Sequence, residues 1–201
     1  EALAKKGIVV FNTPGANANA VAELTIAGML LAVRDIHGGI NWVKQNQTDP
    51  DIAKTTEKAK SKFAGTELLG KSIGIIGLGA IGLRIAALAN GFGMKVYGNT
   101  LNHDELVLIK DSLPPIEFIR NVEEMYPHCD FISLNLPYSA EAKHMINKNS
   151  IARMKDGVII LNFARDGLVH EEDLLNAMTQ NKVRKYVTDF PNAHTDTIDQ
   201  F

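Results

Sequence analysis

Three glycines in one short run carry the clearest chemistry in this chain. Gly77-Leu78-Gly79-Ala80-Ile81-Gly82 follows directly on the apolar stretch Ile73–Ile76 and leads into a helix-forming segment. In that setting the first glycine permits a tight turn, the second lets a pyrophosphate approach the backbone, and the third lets the helix pack close to the strand. Ala80 and Ile81 complete the first helical turn, whose unbonded N–H groups and dipole favour an anion. A bare structural turn would use the same glycines, and the strand–turn–helix context favours a dinucleotide. The residue that normally accepts the ribose hydroxyls is an Asp or Glu about 20 residues on. Here the position falls on Thr100, 18 residues after Gly82 and next to Asn99. Asn and Thr can bond a ribose but do not repel a 2′-phosphate. No Arg is close in sequence, and Lys110 lies ten residues further along. NAD is the expected cofactor, with NADP left open.

Other polar residues stand where apolar runs end. Phe163-Ala164-Arg165 follows Val158–Asn162, and ligands of open α/β sheets bind outside the carboxyl ends of strands. An Arg there can hold a carboxylate by two parallel charge-assisted hydrogen bonds; the alternative is a surface Arg paired with Asp166. Asn135-Leu136-Pro137 at another such end suits a cleft wall or a plain strand exit. Asp189 follows Val187-Thr188 and can accept from a carboxamide or cap a turn. The six histidines show no metal-ligand spacing, HExxH, CxxC and GxSxG are all missing, and no metal is expected.

These residues need a scaffold. Apolar runs at Lys71–Ile76, Lys95–Gly98, Phe131–Asn135, Val158–Asn162 and Lys185–Asp189 alternate with helical segments at Leu83–Asn90, Val122–Tyr126, Lys148–Met154 and Glu171–Gln180. Such alternation predicts an α/β, Rossmann-type doubly wound parallel sheet with helices on both faces. Before it, a strand is expected over Gly7–Asn12, then a turn at Thr13-Pro14-Gly15 and one long helix over Asn19–Lys44. That helix is apolar enough to need cover nearly all round, which points to a subunit interface. Gln45–Lys62 reads as a polar surface excursion with room for a helical turn.

Composition is that of an ordinary globular protein: 201 residues, 45% hydrophobic and 22% charged, with a net charge of -2. It shows no basic footprint for nucleic acid or an anionic membrane. No apolar stretch reaches the ~18 residues of a membrane span, and the first residues are not a signal peptide. The single cysteine, Cys129, allows no internal disulfide and fits a reducing compartment; cytoplasm is the default expectation. The chain begins with Glu and meets an apolar run almost at once, as a piece of a longer protein would.

Residues 7–24, 65–82, 129–147, 154–169 and 186–191 together resemble the D-isomer-specific 2-hydroxyacid dehydrogenases, over nearly the whole chain. Their wording is nearest to the members that oxidise 3-phospho-D-glycerate to 3-phosphohydroxypyruvate in serine biosynthesis; glycerate, lactate and formate dehydrogenases share the core pattern. The resemblance implies a subunit of two domains with the site between them. Residues 1–16 would then be a remnant of the substrate domain and its crossover, and residues 17–201 the NAD-binding domain. It also implies a homodimer formed through the cofactor domain. Hydride would pass between C2 of a small 2-hydroxy or 2-oxo acid and C4 of the nicotinamide. Arg165 matches the Arg that orients the carboxylate, and Asp189 the residue that meets the carboxamide. Asn135 stands where many relatives have His, so that contact is altered. The partner acid usually lies where Ala193 stands, beside His194 with Asp196 nearby, and the catalytic His would lie beyond Phe201. Binding of cofactor without turnover is therefore expected of these residues alone. NADH-sensing corepressors of the same fold are the alternative reading. An adenosyl-ligand methyltransferase is disfavoured by the third glycine and by the Asn162–Gly167 strand end.

Overall fold

The apolar runs pair side by side because each buries both faces, a demand met by a parallel sheet covered on two sides. In the computed structural model, which describes residues 3–9, 11 and 13–190, the strands are β1 (Ser72–Ile76), β2 (Lys95–Asn99), β3 (Glu117–Phe118), β4 (Phe131–Leu134), β5 (Val158–Asn162) and β6 (Val183–Thr188). The helices are α1 (Ala18–Val33), α2 (Ile36–Gln45), α3 (Ile52–Ala59), α4 (Ala80–Gly91), α5 (His103–Leu108), α6 (Val122–Met125), α7 (Lys148–Arg153) and α8 (Glu171–Thr179). All strand pairs are parallel and the order is β3-β2-β1-β4-β5-β6. This is the doubly wound sheet expected from the sequence.

Alternate residues along each strand feed two cores. Ile73, Ile75, Phe131, Ile159 and Leu161 pack with Ala22, Ile26, Met29 and Val33 of α1 and Ile85, Ala86 and Ala89 of α4. Ile76, Ile132, Leu134, Val158 and Ile160 pack with Met125, Ile151, Leu174, Ala177 and Met178 from α6, α7 and α8. Each fully buried Ile, Leu or Met contributes about 1.5–3 kcal/mol. Cys129 is fully buried beside Gly74, where a Cβ would meet its Sγ at 2.8 Å. Burial pushes its thiol pKa up to about 12. At the amino edge of the sheet, Asp130 accepts from the Ser72 N–H at 2.8 Å and from Lys155 Nζ at 3.0 Å, tying β1, β4 and the turn before β5 together.

Several expectations need correction. Among the described residues of 7–12 no strand forms: Gly7 turns at φ +70° and Ile8, Val9 and Phe11 are exposed, since no strand among the described residues lies beside them. The single long helix is broken at Arg34. There the chain becomes extended, the Val33 carbonyl accepts from Thr66 N at 3.2 Å, and Asp35 caps α2 by accepting from Gly38 N at 2.9 Å. Nor is α1 covered all round. Its inner face is buried, while Leu24 and Leu31 are exposed, with Ile36, Ile40 and Val43 of α2. The polar excursion contains α3, the cofactor-side helix α4 starts at Ala80 rather than Leu83, and α5 and β3 lie where no element was expected. Strand β6 starts two residues earlier and ends at Thr188, so Asp189 comes just after the strand.

Candidate cofactor site

The order in which strands are added reverses between β1 and β4, and the carboxyl ends of these neighbouring parallel strands make the cleft where such folds take ligands. The glycine loop fills one side of it. Gly77 has φ +97°, a conformation that disfavours any side chain, and a Cβ there would lie 2.5 Å from Asn135 O on the opposite wall. A Cβ on Gly82 would lie 2.1 Å from Gly77 O, so the close approach of α4 to the turn depends on this glycine. A Cβ on Gly79, by contrast, would meet nothing within 4 Å. The open space is in front of the N-terminus of α4, whose 12 residues carry no acidic side chain in the first turn. Ala80 and Ile81 open that helix, and the Thr13-Pro14-Gly15 turn arrives beside it, with an added Gly15 Cβ only 3.6 Å from Ala80 Cβ. A tight turn, an empty backbone cradle and an uncompensated helix dipole together fit a pyrophosphate.

The remaining candidates sit along the same carboxyl edge but differ in how free they are. Asn99 is committed to structure. Its side-chain amide donates to Ile119 O and Arg120 O, at 2.9 Å each, and its backbone carbonyl accepts from Gly77 N at 2.8 Å. Thr100 comes next, partly buried. The sequence suggested no Arg near this end, but folding brings Arg120 here from beyond β3. Its guanidinium pairs with Asp104 at the start of α5. Asn135 also folds back, donating to Ser133 O at 3.3 Å and Ser133 Oγ at 3.0 Å, so its side chain supports the strand end. Leu136 packs into the core and Pro137 is exposed at the rim.

Arg165 is presented by a clamp that the sequence did not reveal. Asn162, fully buried, accepts from Ala164 N at 3.2 Å and Arg165 N at 3.3 Å, and donates to Arg165 O at 2.9 Å and the Tyr186 hydroxyl at 3.0 Å. Strand residue Tyr186 is thereby tied to the loop of the neighbouring strand. Phe163 and Val187 pack against α1, closing on Gly28, where a Cβ would meet Val187 Cγ1 at 2.9 Å. Phe163 thus faces the core as much as the cleft, and Ala164 packs against the opposite core. The Arg165 side chain is exposed and donates to Ala164 O at 2.6 Å rather than pairing with Asp166. Asp189 is exposed one residue past β6. Tyr138 covers Gly167, and His144 N donates to Gly167 O at 3.0 Å, so the loop after β4 is fastened to the Arg165 turn. Ala193, His194 and Asp196 lie outside the described residues. His37, His103 and His128 lie in three separate helical segments, while His144 and His170 come together from two loops and pack edge to face with ring centroids 4.9 Å apart. Among the described residues no cluster of His, Cys, Asp and Glu could hold a metal, and no helix is long and apolar enough to cross a membrane.

The family model described as the NAD binding domain of D-isomer specific 2-hydroxyacid dehydrogenase matches residues 26–198. A hydroxypyruvate reductase of Thermotoga maritima is 39% identical over 89% of this chain and 53% of its own length. A D-3-phosphoglycerate dehydrogenase of Methanocaldococcus jannaschii is 35% identical over 94% of this chain and 34% of its own. Among solved structures, that of D-lactate dehydrogenase from Aquifex aeolicus complexed with NAD and lactic acid superposes with a TM-score of 0.74 and 29% identity, covering 99% of this chain and 56% of that one. The chain therefore spans about half or less of the length of these two curated relatives.

Proposed function

This chain belongs to the D-isomer specific 2-hydroxyacid dehydrogenase family and carries its NAD-binding domain, and we propose that it serves hydride transfer between NAD and a D-2-hydroxy acid. The observation that carries this reading is Arg165, exposed at the end of β5 on the same sheet edge as the glycine cradle at the end of β1. When bound, NAD supplies the hydride acceptor. The backbone N–H groups at the start of α4 would hold its pyrophosphate against the dipole of that helix. Thr100, with Asn99 beside it, would meet the ribose, Asp189 would accept from the carboxamide, and Pro137 with the cleft-facing parts of Leu136, Phe163 and Ala164 would border the path between. Arg165 takes the substrate carboxylate in a bidentate grip and polarises the C2 oxygen.

The substrate we assign is 3-phospho-D-glycerate, supported by the wording of the strand-end motifs and by relatives named D-3-phosphoglycerate dehydrogenase. Unphosphorylated hydroxypyruvate is the second reading, favoured by the 39% identity to a hydroxypyruvate reductase. Either substrate needs a proton carrier at its C2 oxygen. Arg165 cannot be that carrier, because a guanidinium does not deprotonate in proteins. Two copies are proposed to pair through the exposed apolar residues of α1 and α2. The test is calorimetry of the 201-residue chain with NADH, then titration of the loaded chain with 3-phosphohydroxypyruvate or hydroxypyruvate. Saturable binding of a 2-oxo acid that Arg165→Gln weakens about tenfold or more supports the reading. Binding of NADH with no Arg165-dependent binding of either acid removes the role of Arg165.

A further inference from the structure

The missing acid at the end of β2 has a counterpart in space. Gly77 N donates to Asn99 O at 2.8 Å, and the Asn99 amide holds the carbonyls of Ile119 and Arg120 at 2.9 Å each. The peptide of Arg120 is thus two hydrogen bonds away from the first glycine of the cradle. Leu78, between the first two glycines, packs over Gly98 of β2, and Ile116, just before β3, closes on the same glycine: a Cβ there would lie 2.6 Å from Leu78 Cδ1 and 2.8 Å from Ile116 Cγ2. The carboxyl ends of β1, β2 and β3 are therefore fixed against one another, and the segment leaving β3 borders the place where a ribose meets Asn99 and Thr100. Arg120 and Asp104 are both mostly exposed there and pair with each other, and Asp104 is also 3.4 Å from His103 Nδ1.

We propose that Arg120 and Asp104 set the choice of cofactor at the adenosine ribose, so that this chain takes NADP as well as NAD. The proposal rests on the reading that the glycine cradle binds a dinucleotide. A guanidinium matches a phosphate with two parallel donors, and no carboxylate stands at position 100 to repel it. Asp104 opposes the dianion, and with the phosphate bound it shares Arg120 rather than owning it. NAD lacks the phosphate and makes no demand on either side chain.

The experiment is calorimetry of the chain with NAD and NADP, for the parent sequence and for Arg120→Gln and Asp104→Asn, at low and raised salt. The parent is expected to bind the two nucleotides within about tenfold of each other. Arg120→Gln should weaken NADP about tenfold and leave NAD within about twofold, because one charge-assisted contact is lost. Asp104→Asn should strengthen NADP several-fold, and raised salt should weaken NADP more than NAD. NAD binding with NADP more than about a hundredfold weaker overturns the proposal and leaves the dinucleotide reading intact. Equal losses for both nucleotides in Arg120→Gln also overturn it, by showing a role in folding alone. Binding of neither nucleotide removes the cradle reading and the proposal together.

Discussion

Gly79 and Gly82 are three residues apart, yet a methyl group added to each meets opposite surroundings. At Gly82 it would strike the Gly77 carbonyl, so Gly82→Ala should destabilise the fold by about 1–3 kcal/mol through overpacking, read as a lower urea midpoint. At Gly79 it enters open space in a backbone conformation that any L residue adopts, φ -83° and ψ -161°. Gly79→Ala should leave the urea midpoint unchanged or slightly raised, by up to about 1 kcal/mol, because the unfolded chain loses freedom. Its cost should appear only in calorimetry, as loss of NAD affinity. Loss of stability in Gly79→Ala with retained NAD binding would mean that the space in front of α4 is not the pyrophosphate seat. The glycines were legible because their spacing records backbone geometry directly. The fates of Asn99 and Asn135 were not, since an amide side chain can bond a ligand or its own strand end equally well. Carbonyls beyond β3 took the Asn99 amide, and the Ser133 hydroxyl and carbonyl took that of Asn135.

Elements that cross the sheet hold the site from behind. Asn162 joins β5 to β6 and grips both sides of the Arg165 peptide, so Asn162→Leu should leave the Ala164 and Arg165 N–H groups without acceptors. A loss of about 2 kcal/mol is expected in denaturant titration, and with it a weaker 2-oxo acid contact at Arg165. At the opposite edge, burial raises the Asp130 pKa. The Ser72 N–H, Lys155 and the Ser72 hydroxyl outweigh it and hold the carboxyl below the usual carboxylate value. A depressed folded pKa contributes stability above the unfolded value and loses it as pH falls through the folded one. Unfolding midpoints measured below about pH 4 should therefore fall less steeply in Asp130→Asn than in the parent; parallel acid limbs would refute the linkage. The strand–helix alternation from Lys71 to Thr188 was legible because each apolar run is short, doubly buried and bounded by a turn. The break at Arg34–Asp35 was hidden inside an unbroken apolar pattern and depends on Thr66, more than thirty residues away. Among the described residues of 7–12 the expected strand is not formed for the converse reason: an apolar run states a capacity to pair, and pairing needs a neighbour.

At the scale of the molecule, α1 turns one face to the sheet and leaves Leu24 and Leu31 outside, with Ile36, Ile40 and Val43 continuing the exposed set on α2. If two copies join there, sedimentation of the chain at micromolar concentration should give a dimer, and Leu31→Glu with Ile40→Glu should give a folded monomer of unchanged circular dichroism. A monomeric parent chain would remove the proposed pairing. The sheet interior offers a different reporter. Cys129 is the only thiol in the sequence, is fully buried between α6 and the sheet, and is held protonated by that burial. A thiol of this kind reacts only when the structure around it opens, so a probe in solution sees it at the frequency of that opening. The rate at which a disulfide reagent consumes it is then a clock for native-state breathing. The clock slows in proportion to the ligand that the folded chain holds, and so reads cofactor occupancy at a residue that the cofactor never touches.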